Sequence, residues 1–191
     1  GLGNLYKCTF HSNTSDISTF SIINKIKDFK KRDYYLHIAI APTKNMKRID
    51  WLIEKSVEIG IDEISFLSVF RSEREKINID RLYRIAISSL KQSKTTFLPK
   101  INNISKLSSF MPKISETIKL IASTGQEVNH ISNFIKKNSR TCILIGPEGG
   151  FTNKELDEAI DNSLIKVSFG KNILRTETAA VHVCSIINNA I

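Results

Sequence analysis

The sequence predicts an α/β fold built on a mostly parallel sheet, because short apolar runs alternate with segments of helical periodicity from about residue 34 onward. Glycines stand where several of these segments would end. The 191 residues are 41% hydrophobic, which is enough for a folded core. Parallel sheets bind ligands at the carboxyl ends of their strands, so the loops at those ends are the candidate functional sites.

The first 32 residues have a different pattern from the rest of the chain. Residues 5–10 and 17–26 are predicted to be strands, and they resemble the last strands of a small barrel or sheet whose earlier part is missing. The chain is therefore expected to begin inside a domain. The basic residues 30–32 are interpreted as a linker to the next domain.

Predicted strands and helices then alternate along residues 34–190. Ile49, Leu52 and Val57 recur at helical spacing, and Gly60 is the expected end of that helix. Asp80 is expected to cap the next helix. Residues 152–155 read Thr-Asn-Lys-Glu, which predicts a capping box at the start of a helix. The expected strands are 34–40, 64–69, 118–122, 142–145 and 165–168, and the later expected helices are 128–137, 153–161 and 178–190.

The charge of the chain favours an anionic partner such as nucleic acid. There are 28 Lys and Arg against 19 Asp and Glu, a net charge of +9, and residues 71–100 hold eight of those cations against three acids. The sequence has no secretory signal and no run long enough for a membrane span, so a cytoplasmic protein is expected. Its three cysteines are far apart, and neither a disulfide framework nor a metal site is expected.

The first candidate loop follows the strand 142–145 and reads Gly-Pro-Glu-Gly-Gly over residues 146–150. Its glycines permit positive φ and close backbone approach, and Pro147 stiffens the turn, so the loop can present N–H and C=O groups to a flat heterocycle such as adenine. A simple connection from strand to helix is the alternative interpretation. The loop lacks the Lys-Ser/Thr of a phosphate-binding loop and no G-x-G-x-x-G accompanies it, so the sequence disfavours nucleoside triphosphates and dinucleotides as ligands.

The second candidate loop covers residues 168–178 and contains Leu-Arg-Thr-Glu-Thr. Thr176 can cap the helix that follows, and Glu177 in its first turn would oppose the helix dipole. Arg175 is placed to hold a phosphate or to stabilise negative charge that develops on a substrate. A structural ion pair of Arg175 with Glu177 or Glu148 is the alternative, and both interpretations stay open. The four histidines do not cluster, and no Ser-His-Asp or Cys-His arrangement can be assigned.

The two loops together resemble a known family. Residues 144–151 (Leu-Ile-Gly-Pro-Glu-Gly-Gly-Phe) and 174–179 (Leu-Arg-Thr-Glu-Thr-Ala) are similar to the two strongest motifs of the ribosomal RNA small subunit methyltransferase E family, within the SPOUT superfamily. Weaker similarity covers residues 51–60, 71–74 and 91–99. The resemblance spans about residues 34 to 191.

This resemblance implies an activity, a fold and an assembly. The family methylates N3 of a uridine in 16S ribosomal RNA of the small ribosomal subunit, with S-adenosylmethionine as methyl donor. Residues 33–191 would form a SPOUT methyltransferase domain with a C-terminal deep trefoil knot. Residues 1–32 would be the C-terminal part of an incomplete PUA-like RNA-binding domain. Members are homodimers with the site at the subunit interface.

The resemblance also implies the site residues. The catalytic candidates are Arg175, for stabilising an anionic uracil, and Glu177 or Glu148, for orienting Arg175 or taking the N3 proton. RNA contacts are expected from Arg71, Arg74, Lys91, Gln92, Ser93 and Lys94. The expected S-adenosylmethionine contacts come from three loops: Ala122, Ser123, Thr124 and Gly125; Ile145, Gly146, Pro147, Glu148, Gly149 and Gly150; and Phe169, Gly170, Ile173, Leu174, Arg175, Thr176, Thr178 and Ala179.

Two other functions stay open at this point. A related SPOUT methyltransferase that acts on transfer RNA or on 23S ribosomal RNA would share the cofactor loops. A non-catalytic RNA-binding dimer would share the charge but would not bind S-adenosylmethionine.

Overall fold

A computed structural model of the chain describes residues 1–74, 76–124 and 128–190. A two-stranded hairpin comes first and a six-stranded sheet with helices follows. The strands are β1 Leu5–Asn13, β2 Ser18–Ile26, β3 Tyr35–Ile40, β4 Glu63–Ser68, β5 Lys100–Lys106, β6 Ile118–Ala122, β7 Arg140–Ile145 and β8 Ile165–Val167. The helices are α1 Met46–Ile59, α2 Ile79–Ser93, α3 Leu107–Phe110, α4 Asn153–Asp161 and α5 Thr176–Asn189.

The large sheet is parallel throughout its described pairs, in the order β5-β4-β3-β7-β6-β8. In the central strand, Ile38 is paired with Ile64 on one side and with Ile143 on the other. The prediction of an α/β fold with a mostly parallel sheet is confirmed. Because the strands run in one direction, the loops that follow β4, β6, β7 and β8 share one edge of the sheet.

Helices cover both faces of the sheet, so the domain has two hydrophobic cores. Leu36, Ile38 and Ile40 face α1, α2 and α5. Ala39, which alternates with them along β3, and Ala41, directly after the strand, face the side covered by α3 and α4. Burial on both faces explains why the central strands read as continuous apolar runs.

The end of α1 and the start of α4 follow local sequence signals, whereas the start of α2 differs from expectation. Gly60 ends α1 with φ of 129°, and Thr152 and Glu155 form the expected capping box of α4. The cap of α2 is Asn78, whose side chain accepts a hydrogen bond from the Arg81 N–H, whereas Asp80 lies in the first turn. Two elements, β5 and the short α3, were not predicted.

The prediction of a helix over 128–137 is wrong, since the structure has only a 3₁₀ turn at Ile131–Asn133. The backbone there pairs with the residue that follows β8: Ser168 N–H donates to Asn129 C=O (3.0 Å) and Ile131 N–H donates to Ser168 C=O (3.0 Å). Backbone groups engaged across the sheet edge cannot form the i to i−4 bonds of a helix.

The N-terminal hairpin is held to the domain by backbone hydrogen bonds near its base. Gly3 N–H donates to Thr96 C=O (2.9 Å), and Leu98 N–H donates to Gly1 C=O (3.2 Å). The predicted strands are confirmed as the antiparallel pair β1 and β2, and all residues of both strands are exposed. In the part of the chain that the structure describes, every helix is too short or too polar to cross a membrane.

Candidate functional site

A cavity of about 820 Å³ lies at the carboxyl ends of β6, β7 and β8. This volume lies within the range of small-molecule and cofactor sites. Its walls come from the loops after those three strands and from the start of α5. Arg71, from the loop after β4, closes part of one side.

The loop after β7 keeps its shape through its own backbone. Gly150 N–H donates to Pro147 C=O (2.8 Å), and Gly150 has φ of +67°. Of the three glycines expected to use positive φ, only Gly150 does so. Gly146 is needed for close approach instead, because a Cβ there would lie 3.1 Å from the backbone N of Phe151.

The loop after β8 is tied to the first loop at the start of α5. Thr176 Oγ1 donates to Gly146 C=O (3.1 Å), so the two loops are joined directly. Thr176 is therefore not the helix cap that was expected. Arg175 occupies the cap position, and its side chain makes no capping hydrogen bond.

The acidic residues of the two loops are paired by Arg48, which the sequence did not indicate. Arg48 Nε lies 3.5 Å from Glu177 Oε1, and Arg48 Nη1 lies 3.9 Å from Glu148 Oε1. Glu177 is only 6% exposed, and among the described residues nothing forms a hydrogen bond with its Oε2 atom. The start of α5 also favours this carboxylate through the helix dipole.

Arg175 is exposed, and within the described ranges it forms no ion pair. The alternative in which Arg175 pairs with Glu177 or Glu148 is therefore wrong, because Arg48 holds both carboxylates. The guanidinium of Arg175 stays available to a ligand at the start of α5.

Most of the residues expected to contact the cofactor line the cavity, while Arg175 and Thr178 do not, and Gly125 lies outside the described residues. The lining residues that were expected are Ala122, Ser123, Thr124, Ile145, Gly146, Pro147, Glu148, Gly149, Gly150, Phe169, Gly170, Ile173, Leu174, Thr176 and Ala179. Those not named from the sequence are Val128, His130, Phe151, Leu156, Val167, Ser168, Lys171 and Asn172. Val128 and His130 were missed because they were assigned to a helix.

The residues expected to contact RNA fall into two separate groups. Arg71 Nη1 donates to Gly149 C=O, and Arg74 Nη2 donates to Lys44 C=O (2.6 Å), so both lie at the edge of the sheet that holds the cavity. Lys91, Gln92, Ser93 and Lys94 lie at the other end of α2, beside the N-terminal segment, where Lys30 Nζ donates to Ser93 C=O (3.4 Å). Within one chain the structure does not bring the two groups together.

A second polar cluster is buried on the sheet face covered by α3. His37 Nδ1 lies 2.8 Å from Glu116 Oε1, and His37 Nε2 lies 2.8 Å from Ser65 Oγ. Asn102 Nδ2 donates to both Ser65 Oγ (2.8 Å) and Glu63 Oε1 (2.6 Å). Each ring nitrogen of His37 therefore has a partner, and Ser65 Oγ joins His37 to Asn102.

The charges in this cluster are stabilised by their neighbours. Burial by itself would raise the pKa of Glu63, but hydrogen bonds from Tyr35, Lys100 and Asn102 outweigh it and lower the pKa to about 2. Burial likewise opposes ionisation of Glu116, whose pKa is nevertheless lowered by His37. Burial, reinforced by Glu116 and Glu63, raises the pKa of the Cys142 thiol well above its ordinary value.

Candidate metal-ligand atoms of His37, Glu116 and Cys142 lie within 4.8 Å of one another, a juxtaposition that the sequence did not predict. Both ring nitrogens of His37 already have protein partners, Glu116 and Ser65. Metal binding requires that the cysteine be a deprotonated thiolate and that an imidazole nitrogen be free. The arrangement fits a structural hydrogen-bond network.

Comparisons with known proteins relate the whole domain to RNA methyltransferases. The model of the RNA methyltransferase domain family matches residues 30–188. The chain is 33% identical to the ribosomal RNA small subunit methyltransferase E of Mesomycoplasma hyopneumoniae, over 84% of this chain and 72% of that protein.

Solved structures share this fold. The crystal structure of a probable rRNA-methyltransferase from Porphyromonas gingivalis superposes with a TM-score of 0.92 and 34% identity, over 98% of this chain and 81% of that one. A ribosomal RNA small subunit methyltransferase E from Neisseria gonorrhoeae, bound to S-adenosyl methionine, gives a TM-score of 0.90 at 24% identity, over 99% and 80%.

Proposed function

The chain belongs to the ribosomal RNA small subunit methyltransferase E family, within the RNA methyltransferase domain family, and we propose that it transfers the methyl group of S-adenosylmethionine to N3 of a uridine in 16S ribosomal RNA. The observation that carries this proposal is the joined pair of loops at the carboxyl edge of the sheet. Thr176 Oγ1 bonds Gly146 C=O, so two sequence motifs that are 30 residues apart form one wall of a single cavity.

The cavity suits an adenosyl cofactor because its walls offer backbone groups on a tightly folded loop. A Cβ at Gly146 would be tightly packed, 3.1 Å from the backbone N of Phe151, and Gly150 has open space on the side where a Cβ would lie. A ligand can therefore approach the backbone of this loop closely. When bound, S-adenosylmethionine supplies an electrophilic methyl group on a sulfonium.

The protein must make the uridine nucleophilic, because N3 carries a proton at neutral pH. Arg175 is the proposed catalytic residue that stabilises the negative charge on the uracil as that proton leaves. Its guanidinium is exposed at the start of α5, beside Leu174 and Thr176, which line the cavity. Glu148 and Glu177 are the proposed groups that orient the substrate or accept the proton, and Arg48 positions both.

The proposal extends to the domains and the assembly. Residues 33–191 would be the SPOUT domain, with the segment that contains α5 threaded as a trefoil knot. Contact of Thr176 with the loop after β7 and packing of α5 on α1 support this path. Residues 1–32 would belong to a PUA-like RNA-binding domain, consistent with an exposed hairpin that carries Phe10 and Phe20 in contact. The active form would be a cytoplasmic homodimer that binds the small ribosomal subunit.

Primer extension on ribosomal RNA tests the substrate and the position of the methyl group. A methyl group on N3 blocks Watson–Crick pairing, so reverse transcriptase stops next to the modified uridine. We expect one stop in 16S RNA from cells that carry the gene, and none from cells that lack it. A stop that appears only in 23S or transfer RNA would move the proposal to a different RNA, and the absence of any difference would contradict it.

A further inference from the structure

Two apolar side chains of the methyltransferase domain extend far into solvent. Among the described residues from 33 to 190, Ile173 is 85% exposed and Phe70 is 84% exposed. The other exposed large hydrophobic residues of this region are between 40% and 49% exposed: Trp51, Ile87, Ile160 and Ile165. Ile173 lines the cavity and is already a proposed cofactor contact, whereas Phe70 has no part in the proposed function.

Phe70 is exposed but its backbone is fixed. Its N–H donates to Glu155 Oε1 (2.7 Å), the same carboxylate group that completes the capping box of α4. Two hydrogen bonds hold the turn around it: Val69 N–H donates to Ser72 Oγ (2.9 Å), and Ser72 N–H donates to Val69 C=O (2.9 Å). The protein therefore holds an uncovered aromatic ring on an ordered turn.

This turn lies at the mouth of the cavity. Arg71, the next residue, donates to Gly149 C=O and lines the cavity wall. Arg74 anchors the same segment to Lys44 C=O (2.6 Å). An exposed aromatic ring on a hydrogen-bonded turn, beside an arginine and in a chain of net charge +9, has the chemistry that recognises unpaired nucleotides.

We propose that Phe70 is a stacking surface for an unpaired nucleobase of the RNA substrate, at the rim of the cofactor cavity and next to Arg71. The inference rests on the proposed function, because it assigns a base contact to the same RNA. Stacking on the ring would hold the strand beside the cavity, so that the target uridine can enter it. Because hydrogen bonds already hold the backbone of this turn, no backbone ordering is needed when a base binds, which favours this role over that of a mobile lid.

Fluorescence tests the contact without any need for catalysis. Trp51 is the only tryptophan, so a variant with Trp51→Phe and Phe70→Trp carries one fluorophore, at the rim. We expect single-stranded oligouridine to quench this fluorescence, with a salt-dependent midpoint, and to leave the Trp51 fluorescence of the unchanged protein almost unaffected. Absence of quenching would overturn the inference, even if the unchanged protein methylates 16S RNA. Quenching would support it, even if no methyl transfer is found.

Kinetics with small ribosomal subunits provide a second test. Phe70→Ala should raise KM for RNA about 10-fold, because stacking contributes roughly that factor per base. Phe70→Leu should raise KM as Phe70→Ala does, and Phe70→Trp should have the KM of the unchanged protein. Calorimetry should give unchanged affinity for S-adenosylmethionine in all three variants. Equal KM values for Phe70→Ala and the unchanged protein would contradict the inference. A shift from dimer to monomer in light scattering would assign the ring to a subunit contact and would contradict it as well.

Discussion

Two groups of polar residues on the same parallel sheet differ in whether the protein itself satisfies them. In the buried cluster around His37, both ring nitrogens have partners, and Glu63 is bonded by three side chains. At the carboxyl edge, Arg175 is exposed without an ion pair among the described residues, and Glu177 Oε2 is buried without a hydrogen bond. Buried polar groups are normally paired, so the unpaired Glu177 Oε2 distinguishes this edge from the His37 cluster.

This comparison separates stability from activity. The His37 cluster contains the histidine, glutamate and cysteine that a search for catalytic side chains would select first. Its saturated hydrogen bonds assign it to the fold. The loops at the carboxyl edge hold no such cluster, and the loop after β7 is mostly glycine and proline, yet these loops form the cavity. Variants in the two regions should therefore change different measured quantities.

The largest effect is expected from Arg175. Arg175→Ala should lower methyl transfer by about 100-fold or more, because it removes a cation that stabilises charge in the transition state. Affinity for S-adenosylmethionine in calorimetry should stay within a few-fold of the unchanged protein. Lys154→Ala removes one exposed charge from the start of α4 and is the matched control. Near-normal turnover of Arg175→Ala on small ribosomal subunits would remove the residue from the mechanism.

Glu116 should affect folding instead. Glu116→Ala leaves His37 Nδ1 buried without its partner, which should lower the free energy of unfolding by about 2 kcal/mol. Glu116→Gln keeps an acceptor for the same nitrogen and should lower the free energy of unfolding by less. Urea unfolding measures both. Methyl transfer per folded molecule should stay unchanged, and a loss of activity in a fully folded variant would place the cluster in the active site.

Arg48 should affect both stability and cofactor binding, because it is partly exposed and pairs with a buried carboxylate. Arg48→Ala should lower the free energy of unfolding by about 1 kcal/mol and also weaken S-adenosylmethionine binding, since both loops lose their shared cation. Arg48→Lys retains the charge, so its stability and its affinity for S-adenosylmethionine should lie between those of Arg48→Ala and the unchanged protein. Arg81→Ala breaks the surface pair with Asp50 and should leave binding unchanged. Unaltered binding by Arg48→Ala would show that the ion pairs do not order the loops.

The last prediction concerns acid stability. Glu63 has a pKa of about 2 in the folded protein, below its ordinary 4.5, so the unfolded chain binds more protons between these values. The contribution of Glu63 to stability is present above pH 4.5 and is lost as the pH falls toward 2. Glu63→Gln should flatten the pH dependence of urea unfolding in this window. An unchanged slope would mean that the Glu63 hydrogen bonds do not stabilise the charge.

The sequence predicted the elements whose signals are local. Continuous apolar runs such as Ile143–Leu144–Ile145 found the central strands, and the Thr152–Glu155 pair found the start of α4. The edge strand β5 was missed because it is mostly polar, with Ile101 as its one fully buried residue. The segment after β6 was wrongly assigned to a helix. Its backbone bonds join it to Ser168, about 40 positions away, and the local sequence carries no signal of that partner.

In the site, as in the fold, the parts that depend on contiguous sequence were predictable. The two loops are contiguous motifs, so their residues could be named, and most of them line the cavity. Arg48 could not be found in this way, because it belongs to an unremarkable helix start and meets Glu177 only in the folded chain. Arg71 was named as an RNA contact, but its bond to Gly149 also depends on tertiary structure.

Transfer of labelled methyl groups from S-adenosylmethionine to unmethylated small ribosomal subunits tests the central claim most directly. The unchanged protein and Glu116→Gln should both place label in 16S RNA, and Arg175→Ala should place almost none. Equal labelling by Arg175→Ala, or no labelling of 16S RNA by the unchanged protein, would contradict the assignment of this cavity to RNA methylation.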